Sequence, residues 1–172
     1  MADLIRVGRL SLDYSKIEDA ENLSERLRFF DRRECYIWGV TPLEALTEPF
    51  ADEGSITYTI KFDNEIIAMC GTVPIDDSKA RVWLLGTQAI NNNFRPFLKG
   101  CKKVIELLQS DYLELENYIP SDHQDTIMWL TWCGFSFPQE EHYEICGHSM
   151  LRFVRCQKRK NNVYPLIRPV MH

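Results

Sequence analysis

The stretch that decides the fold runs from residue 55 to residue 108, where three β-rich runs precede one long amphipathic segment. The runs are SITYTIKF (55–62), IIAMCGTV (66–73) and ARVWLLGT (80–87), and the amphipathic segment is FRPFLKGCKKVIELL (94–108). The first run alternates strictly, the turn signal Asp63-Asn64 follows it, and the third run is almost continuously apolar at its end. These patterns predict a three-strand meander whose last strand is central in the sheet, followed by a helix.

The amphipathic segment carries the clearest helical period in the chain. Its apolar positions are Phe94, Phe97, Leu98, Cys101, Val104, Ile105 and Leu108. Because proline is tolerated only in the first turn, Pro96 indicates that the helix starts near Phe94. We expect one face to pack on the sheet, with Phe97, Leu98, Cys101, Ile105 and Leu108 against the strands.

Upstream of the meander, the pattern predicts a first strand over residues 4–10 and then two helices. Ser15 is a candidate N-cap, with Glu18 as its capping-box partner. The second helix should start at Thr41-Pro42, because Thr is a preferred cap and Pro suits the first helical position. Pro49 should limit this helix.

Downstream of the long helix, residues 112–119 alternate and predict a strand. A further helix should start at Ser121 or Asp122 and end at Cys133, with Gly134 as its C′ residue. Strands should follow from Phe135 and over residues 145–154. The predicted order is β-α-α-β-β-β-α-β-α-β-β, an α/β fold with a mixed, mostly antiparallel sheet and helices on both faces.

The chain divides into one domain over residues 1–156 and a C-terminal arm over residues 157–172. The arm opens with the basic run Lys158-Arg159-Lys160 and contains two prolines and several apolar residues. We expect it to extend and to dock on a neighbouring subunit or on a partner protein. The alternative is a frayed terminus.

Composition excludes several functional classes. The 172 residues are 45% hydrophobic with a net charge of −5, which is typical of one globular domain and gives no electrostatic reason for nucleic acid as a partner. No apolar run is long enough to span a bilayer, and the N-terminus does not resemble a signal peptide, so we expect an intracellular protein without a membrane role. The six cysteines are spread singly, and no group of them with His142 or His148 has the spacing of a zinc module, so we expect no metal.

A glycine-phenylalanine pair, Gly134-Phe135, follows the apolar helix end Trp129-Leu130-Thr131-Trp132-Cys133. This pair and the order of elements resemble the GNAT acyltransferase fold over residues 4–154. A closer resemblance is to small GNAT-like proteins of short-tailed, podovirus-type phages, some of which are called internal virion proteins. It rests on residues 81–86, on Phe94-Arg95 with Phe97, and on residues 126–135. It implies a place in the virion or the host cytoplasm, with phage or host proteins as partners. The basic and apolar residues of the arm add a homo-oligomer as one option.

The GNAT resemblance also implies acetyl-CoA as the cofactor of an active member. The matching cofactor-binding positions are the strand residues Leu84, Leu85 and Gly86 and the loop and helix-start residues Asn91, Asn92, Asn93 and Arg95. In such enzymes the loop carries glycines whose N–H groups bind the pyrophosphate. Here the glycines are missing and Pro96 removes one donor, although asparagine can also form an anion-binding loop. We therefore predict weak or absent acetyl-CoA binding; a polar capped loop is the alternative interpretation.

The catalytic positions implied by the resemblance also depart from the family pattern. Leu130 stands where many members have a tyrosine, and His123 stands where an asparagine is usual. The remaining candidates for acid–base work are His123 and Glu116, with Glu114 beside the latter. A solvated strand face for the two glutamates and a surface role for the histidine are the alternatives.

These departures lead to two functional hypotheses. The first is a phage-encoded protein with degraded acetyl-CoA motifs that acts through protein–protein contacts in the virion, in assembly or in infection. The second is an active N-acetyltransferase that modifies an amine of a host protein or a small molecule. Tyr36, Trp38 and Phe50 flank the second helix, where an acceptor would bind, although packing explains them equally.

Overall fold

The computed structural model describes residues 3–138 and 143–158, which form one eight-stranded sheet with helices on both of its faces. The strands are β1 (Ile5–Val7), β2 (Leu10–Tyr14), β3 (Ile56–Phe62), β4 (Glu65–Pro74), β5 (Lys79–Gly86), β6 (Glu114–Pro120), β7 (Tyr143–Ile145) and β8 (His148–Cys156). The helices are α1 (Ile17–Ser24), α2 (Phe29–Ile37), α3 (Pro42–Ala51), α4 (Ala89–Asn92), α5 (Phe94–Gln109) and α6 (Gln124–Trp132).

The sheet is mixed and mostly antiparallel, as predicted. Its strand order is β1-β2-β3-β4-β5-β6-β8-β7, and only the β5–β6 pair is parallel. Helices α1 to α3 cover one face around Leu23, Leu46 and Met69, whereas α5 and α6 cover the other around Val82 and Val104. Residues alternate between the two faces along β5, so this nearly all-apolar strand is central and covered on both sides.

The meander forms as the sequence predicts. Asp63 and Asn64 both have positive φ, which is the backbone of the tight hairpin turn between β3 and β4. Gly71 lets the two strands approach closely, since a Cβ on it would lie 2.1 Å from the carbonyl oxygen of Ile56. A side chain of any size at this position would therefore disrupt the β3–β4 pair.

The N-terminal third departs from the predicted order, which the structure corrects to β-β-α-α-α-β-β-β-α-α-β-α-β-β. Gly8 has a φ of 61° and turns the first strand into the β1–β2 hairpin. Ser15 does not cap α1, because the helix starts at Ile17 with Lys16 at the N-cap position. The carboxylate of Asp19 accepts from the Lys16 N–H, and the Ser15 hydroxyl accepts from Thr59. Helix α2 was not predicted, because its apolar residues show no helical period.

Helix α3 begins as predicted but continues further. Thr41 and Glu44 form the reciprocal capping box, and Pro42 occupies the first turn. Pro49 is buried inside the helix, which ends two residues later at Ala51. The prediction that Pro49 limits the helix is therefore wrong by two residues, because proline tolerates the last turn when the helix stops soon after it.

Helix α5 begins at Phe94 as predicted, but its buried face is slightly rotated. Leu98 is half-buried, and Gly100 lies at the centre of the contact instead, where a Cβ would lie 2.3 Å from a methyl carbon of Leu10. The residues buried against the sheet include Phe97, Cys101, Ile105 and Leu108. The expectation for Leu98 is thus wrong. Because α5 approaches β2 closely at Gly100, the side chains on the Gly100 side of the helix are buried against the sheet and Leu98 is only half-buried.

Helix α6 ends as predicted, with Gly134 at a φ of 91°. The strand predicted from Phe135 is a single bridge between Ser136 and Val154, because Phe135 turns into the core. The final strands are the β7–β8 hairpin, which pairs with β6. Arm residues 159–172 lie outside the described residues, so the domain boundary and the docking arm stay predictions.

Four of the cysteines are buried in the described part of the chain. Cys35, Cys70, Cys101 and Cys133 are buried free thiols. Among residues 3–138 and 143–158 no group of side chains has the composition of a metal site, and His142 falls outside these ranges. Within the same ranges no helix combines the length and the apolar character needed to cross a bilayer.

Candidate functional site

The sheet contains a gap at its one parallel junction. Strands β5 and β6 pair only from Lys79 to Arg81 with Glu114 to Glu116. Beyond this point the amide of Asn117 is inserted between the strands and donates to the carbonyl oxygen of Val82 at 2.7 Å. Because β6 continues to pair with β8 as far as Pro120, the two strands diverge and leave space between their ends.

A cavity of about 400 Å³ fills this gap and reaches both faces of the sheet. On the α5 face its wall includes Cys101, Val104, Ile119 and Leu130. On the opposite face its wall includes Glu34, Trp38, Trp83 and Leu85 together with α3 residues. The divergence of β5 and β6 is what connects the two halves, so the cavity is a property of the topology.

The carboxyl end of β5 is closed by the segment that leads into α2. The N–H of Gly86 donates to Oδ2 of Asp31 at 2.7 Å, and the carbonyl oxygen of Gly86 accepts from the N–H of Arg28 at 2.9 Å. The guanidinium of Arg28 bonds Asp31 at 2.9 Å and Asn91 at 3.0 Å. We call this set, Arg28, Asp31, Gly86 and Asn91, the clamp.

The carboxylate at the centre of the clamp is almost fully removed from solvent, since Asp31 is only 4% exposed, whereas Asn91 lies at the exposed edge. Burial raises the pKa of the Asp31 carboxyl, although the neighbouring Arg28 guanidinium and the Gly86 N–H oppose this rise. The Arg28 guanidinium and the Gly86 N–H thus partly offset the penalty that desolvation places on the charged form of Asp31.

The backbone direction of β5 determines which residues face the gap. The N–H of Thr87 bonds the carbonyl oxygen of Ile67 on β4, so the alternate residues Leu85 and Trp83 also pair with β4. Val82, Leu84 and Gly86 therefore direct their main-chain groups towards β6. Of these, the carbonyl oxygen of Val82 accepts a hydrogen bond from Asn117, and both main-chain groups of Gly86 are bonded within the clamp. Leu84 is the remaining residue whose main-chain groups face the gap. Among the predicted cofactor-binding strand residues, only Leu84 presents free main-chain groups to the gap.

The predicted loop of three asparagines is folded into α4. The N–H groups of Ile90, Asn91, Asn92 and Asn93 donate to carbonyl oxygens of residues 87–89 at 3.0–3.2 Å. Four successive donors that an anion-binding loop would present are thus used inside the turn. Arg95 lies one turn further, in a shallow groove whose wall it shares with Asn91, Asn92 and Asn93 and with the basic residues Arg9 and Lys99. The structure brings Asn91 to the clamp but leaves Arg95 outside it.

The two predicted catalytic residues lie apart. Glu116 is near the start of β6 and forms an ion pair with Arg152, which also bonds Glu114 at 3.0 Å. Both glutamates are mostly buried by this pairing, so the alternative of a solvated strand face is wrong. His123 follows the end of β6 and caps α6.

His123 is part of the contact between α2 and α6. Its ring stacks on Phe30 with 4.3 Å between centroids, and its Nε2 lies 3.3 Å from the Thr126 hydroxyl. Burial and, next, the Arg28 guanidinium lower the pKa of His123, so the ring is neutral at neutral pH. Beside it, Arg33 bonds Asp122 at 3.0 Å, which fixes α2 across the end of the gap.

Sequence reasoning missed two residues of the cavity wall. Burial and, next, the charge of Asp31 raise the pKa of Glu34 to about 8. The indole Nε1 of Trp83 is buried and has no hydrogen-bond partner in the described part of the chain. The apolar residues of α2 show no helical period, so nothing in the sequence indicated that Glu34 would line a cavity. Trp83 has the pattern of an ordinary strand residue.

No family model matches the sequence, and no curated protein matches it. Solved acetyltransferases are nevertheless similar in structure. A spermidine N-acetyltransferase chimera from Vibrio cholerae and hSSAT is 13% identical and has a TM-score of 0.65 over 87% of this chain and 96% of the other. An acetyltransferase from Streptococcus agalactiae is 7% identical with a TM-score of 0.64 over 88% of this chain and 100% of the other. At these identities the likeness shows the fold, which is that of the GNAT acetyltransferases.

Active members of this fold use acetyl-CoA, and the residues present here do not fit that cofactor. Of the strand positions that should hydrogen-bond to the cofactor, Gly86 is occupied by Asp31 and by the Arg28 N–H, which leaves Leu84 alone. The loop that should bind its pyrophosphate has its N–H groups committed within α4. No reaction step through acetyl-CoA is therefore derived for this chain.

Proposed function

We propose that this GNAT-fold chain acts by binding other proteins and does not transfer acetyl groups. The observation that carries the proposal is the clamp, which fills the hydrogen-bonding end of β5 with the protein's own Asp31 and Arg28. A cofactor would have to break these buried bonds before it could form its own, and the broken groups would stay without solvent.

The exposed apolar residues of α2 and α3 support a protein-binding role. Phe29 is 71% exposed and Tyr36 is 58% exposed, and Phe30, Trp38, Leu43 and Phe50 are also exposed. Aromatic residues are enriched at protein interfaces, and clusters of them on a surface mark such sites. The clamp ties the start of α2 to the end of β5, which positions the α2 side chains relative to the sheet.

The setting we propose is a phage virion, its assembly or the infected cell. The resemblance of residues 81–86, 94–97 and 126–135 to podovirus proteins supports it. The partners would be phage or host proteins, and the arm over residues 157–172 would contribute to a homo-oligomer.

Calorimetry with acetyl-CoA tests the cofactor half of the proposal. We expect no binding tighter than about 100 µM, which corresponds to about −5.5 kcal/mol. A submicromolar dissociation constant would overturn the proposal, because it would require the clamp to open readily.

Site-specific photo-crosslinking tests the protein-binding half. A photoreactive phenylalanine analogue is placed at Phe29 on α2 and, as a matched control, at Met128 on α6, which is 70% exposed. In cells that naturally contain this chain, we expect a discrete protein crosslinked from position 29 and none from position 128. Equal crosslinking from both positions would mean that α2 has no special role in partner binding.

A second candidate function is N-acetyl transfer to an amine, and Glu34 is the observation that favours it. A carboxyl whose pKa is about 8 can exchange a proton with an amine near neutrality, and this one lies in the cavity wall. Release of the coenzyme A thiol from acetyl-CoA in the presence of spermidine would support this candidate, provided that Glu34→Gln abolishes the release.

A further inference from the structure

The helices on the two faces of the sheet carry charges of opposite sign. On one face, α1 and α3 pack against each other, and neither helix contains a lysine or an arginine. The side of each helix that points away from the buried Leu23 and Leu46 presents carboxylates to solvent. We call these exposed residues the acidic face: Glu18, Glu21, Glu25, Glu44 and Glu48.

Helix α5, on the opposite face of the sheet, is basic along its exposed side. Four cations have the spacing i, i+4, i+7 and i+8, which places them on one side of the helix, away from the buried Phe97 and Cys101. Glu106 is the one acidic residue of this helix. We call the four cations the basic stripe: Arg95, Lys99, Lys102 and Lys103.

The rest of the chain does not neutralise either surface. Surface charges elsewhere do form pairs, as Arg33 does with Asp122. Within residues 3–138 and 143–158, by contrast, no member of the acidic face or of the basic stripe forms an ion pair. Lys102 lies over the Trp132 ring at 4.5 Å, a contact that leaves its charge in place. Because the members of each surface share one sign, they repel one another until a surface of the opposite sign approaches.

From these two surfaces we propose that the basic stripe of one copy of this chain docks on the acidic face of a second copy. The sheet separates the two surfaces within one chain, so they can meet only between copies. Their lengths agree, because at a rise of about 1.5 Å per residue the basic stripe from Arg95 to Lys103 spans about 12 Å and the α1 carboxylates from Glu18 to Glu25 span about 10 Å.

Exposed apolar residues adjoin both surfaces. Ile17 and Leu43 lie at the starts of α1 and α3 and are 43% and 44% exposed, and Phe94 lies at the start of α5 and is 45% exposed. Ion pairs at a solvated surface contribute little affinity by themselves, so the burial of these side chains is needed to strengthen the contact. The charges then select which surface of the second copy is bound.

The two docking surfaces differ, so the contact between copies is heterologous. A copy that binds through its basic stripe keeps its acidic face free for a further copy, which extends the assembly unless it closes into a ring. The inference goes beyond the proposed function, which assigns self-association to the arm, because it uses neither the arm nor the clamp.

Sedimentation velocity of the full chain and of two charge-reversed variants tests the contact. One variant carries Glu21→Lys and Glu48→Lys on the acidic face, and the other carries Lys99→Glu and Lys103→Glu on the basic stripe. Because like charges then face each other, each variant alone should self-associate at least about tenfold more weakly than the unaltered chain. An equimolar mixture of the two variants should recover the association, since a basic surface again meets an acidic one.

The matched control reverses two exposed carboxylates that lie outside both surfaces, Asp77 between β4 and β5 and Glu144 on β7. The pair Asp77→Lys and Glu144→Lys changes the net charge as much as the acidic-face variant does, and it should associate like the unaltered chain. A rise in salt from about 50 to about 500 mM should weaken the association of the unaltered chain at least about tenfold, because salt screens exposed charges.

Recovery in the mixture also shows that both variants are folded, so it distinguishes a lost contact from a lost structure. If a reversed variant has a lower melting temperature than the control, glutamine at the same two positions replaces the reversal and should still weaken the association. The inference is overturned if the unaltered chain stays monomeric at low salt, if the variants associate as the control does, or if the mixture fails to recover. It is equally overturned if deletion of residues 158–172 abolishes the association, because the arm would then be the basic partner. Acetyl-CoA calorimetry and crosslinking from Phe29 are read separately, so the proposed function and this inference can fail independently.

Discussion

Replacement of Asp31 by alanine tests the clamp directly. Removal of one partner of a buried ion pair costs about 3–5 kcal/mol, because the other charge stays behind unpaired. Arg28 keeps 16% of its side-chain exposure, which places the loss at the lower end of this range, about 3 kcal/mol. The orphaned N–H of Gly86 adds about 1 kcal/mol.

A compensating contribution reduces this sum. Burial raises the pKa of Asp31 in spite of Arg28, so the native site holds the carboxylate at a desolvation penalty that alanine does not incur. We therefore expect Asp31→Ala to lower the free energy of unfolding by about 2–3 kcal/mol in urea titrations at pH 7. For a chain of this length the melting temperature should fall by about 5–10 °C.

Two variants make the result specific. Asp31→Asn keeps an acceptor for the Gly86 N–H but leaves the Arg28 charge unpaired, so its loss should be about 1 kcal/mol smaller than that of Asp31→Ala. Asp122→Ala removes the partner of Arg33, but Asp122 is 63% exposed, so its loss should stay below about 1 kcal/mol. The reasoning is refuted if Asp31→Ala unfolds within about 0.5 kcal/mol of the unaltered chain, or if Asp122→Ala is the more damaging change.

Three further predictions concern pH, packing and the arm. The raised pKa of Glu34 means that the folded state binds this proton more tightly than the unfolded state, so the free energy of unfolding should fall as pH rises from about 4.5 to 8. Glu34→Gln should remove this fall and be more stable than the unaltered chain at pH 8.5 by about 1–2 kcal/mol. Equal pH profiles for the two proteins would contradict the assignment. In urea titrations Leu108→Ala should lower the free energy of unfolding by about 2–4 kcal/mol, because Leu108 is buried. Leu98→Ala should lower it by only about 1 kcal/mol, because Leu98 is half-buried. The reverse order would mean that the buried face of α5 is assigned wrongly. Deletion of residues 158–172 should leave the melting temperature nearly unchanged and weaken self-association in sedimentation experiments, and unaltered association at low and moderate salt would show that the arm does not dock.

Much of the fold was predictable because it depends on local patterns. The alternation of residues 55–62 and the helical period of α5 indicate which side of each element is buried, independently of what it packs against. The turn at Asp63-Asn64 is a local signal of the same kind. The stop at Gly134 is equally local, since only glycine adopts the left-handed conformation there without strain. These features sufficed to predict the class of the fold.

What the sequence could not reveal depends on contacts between distant residues. Asp31 and Gly86 are 55 positions apart, and nothing in the composition of α2 indicates that its carboxylate would meet a strand end. The burial that raises the pKa of Glu34 exists only after α2 has been packed across the gap. The missing glycines of the loop were visible in the sequence, but the commitment of its N–H groups was decided by how α4 folded. Desolvation and hydrogen-bond saturation are properties of the packed chain, so the chemistry of the gap was decided by the tertiary structure and not by the order of residues along β5.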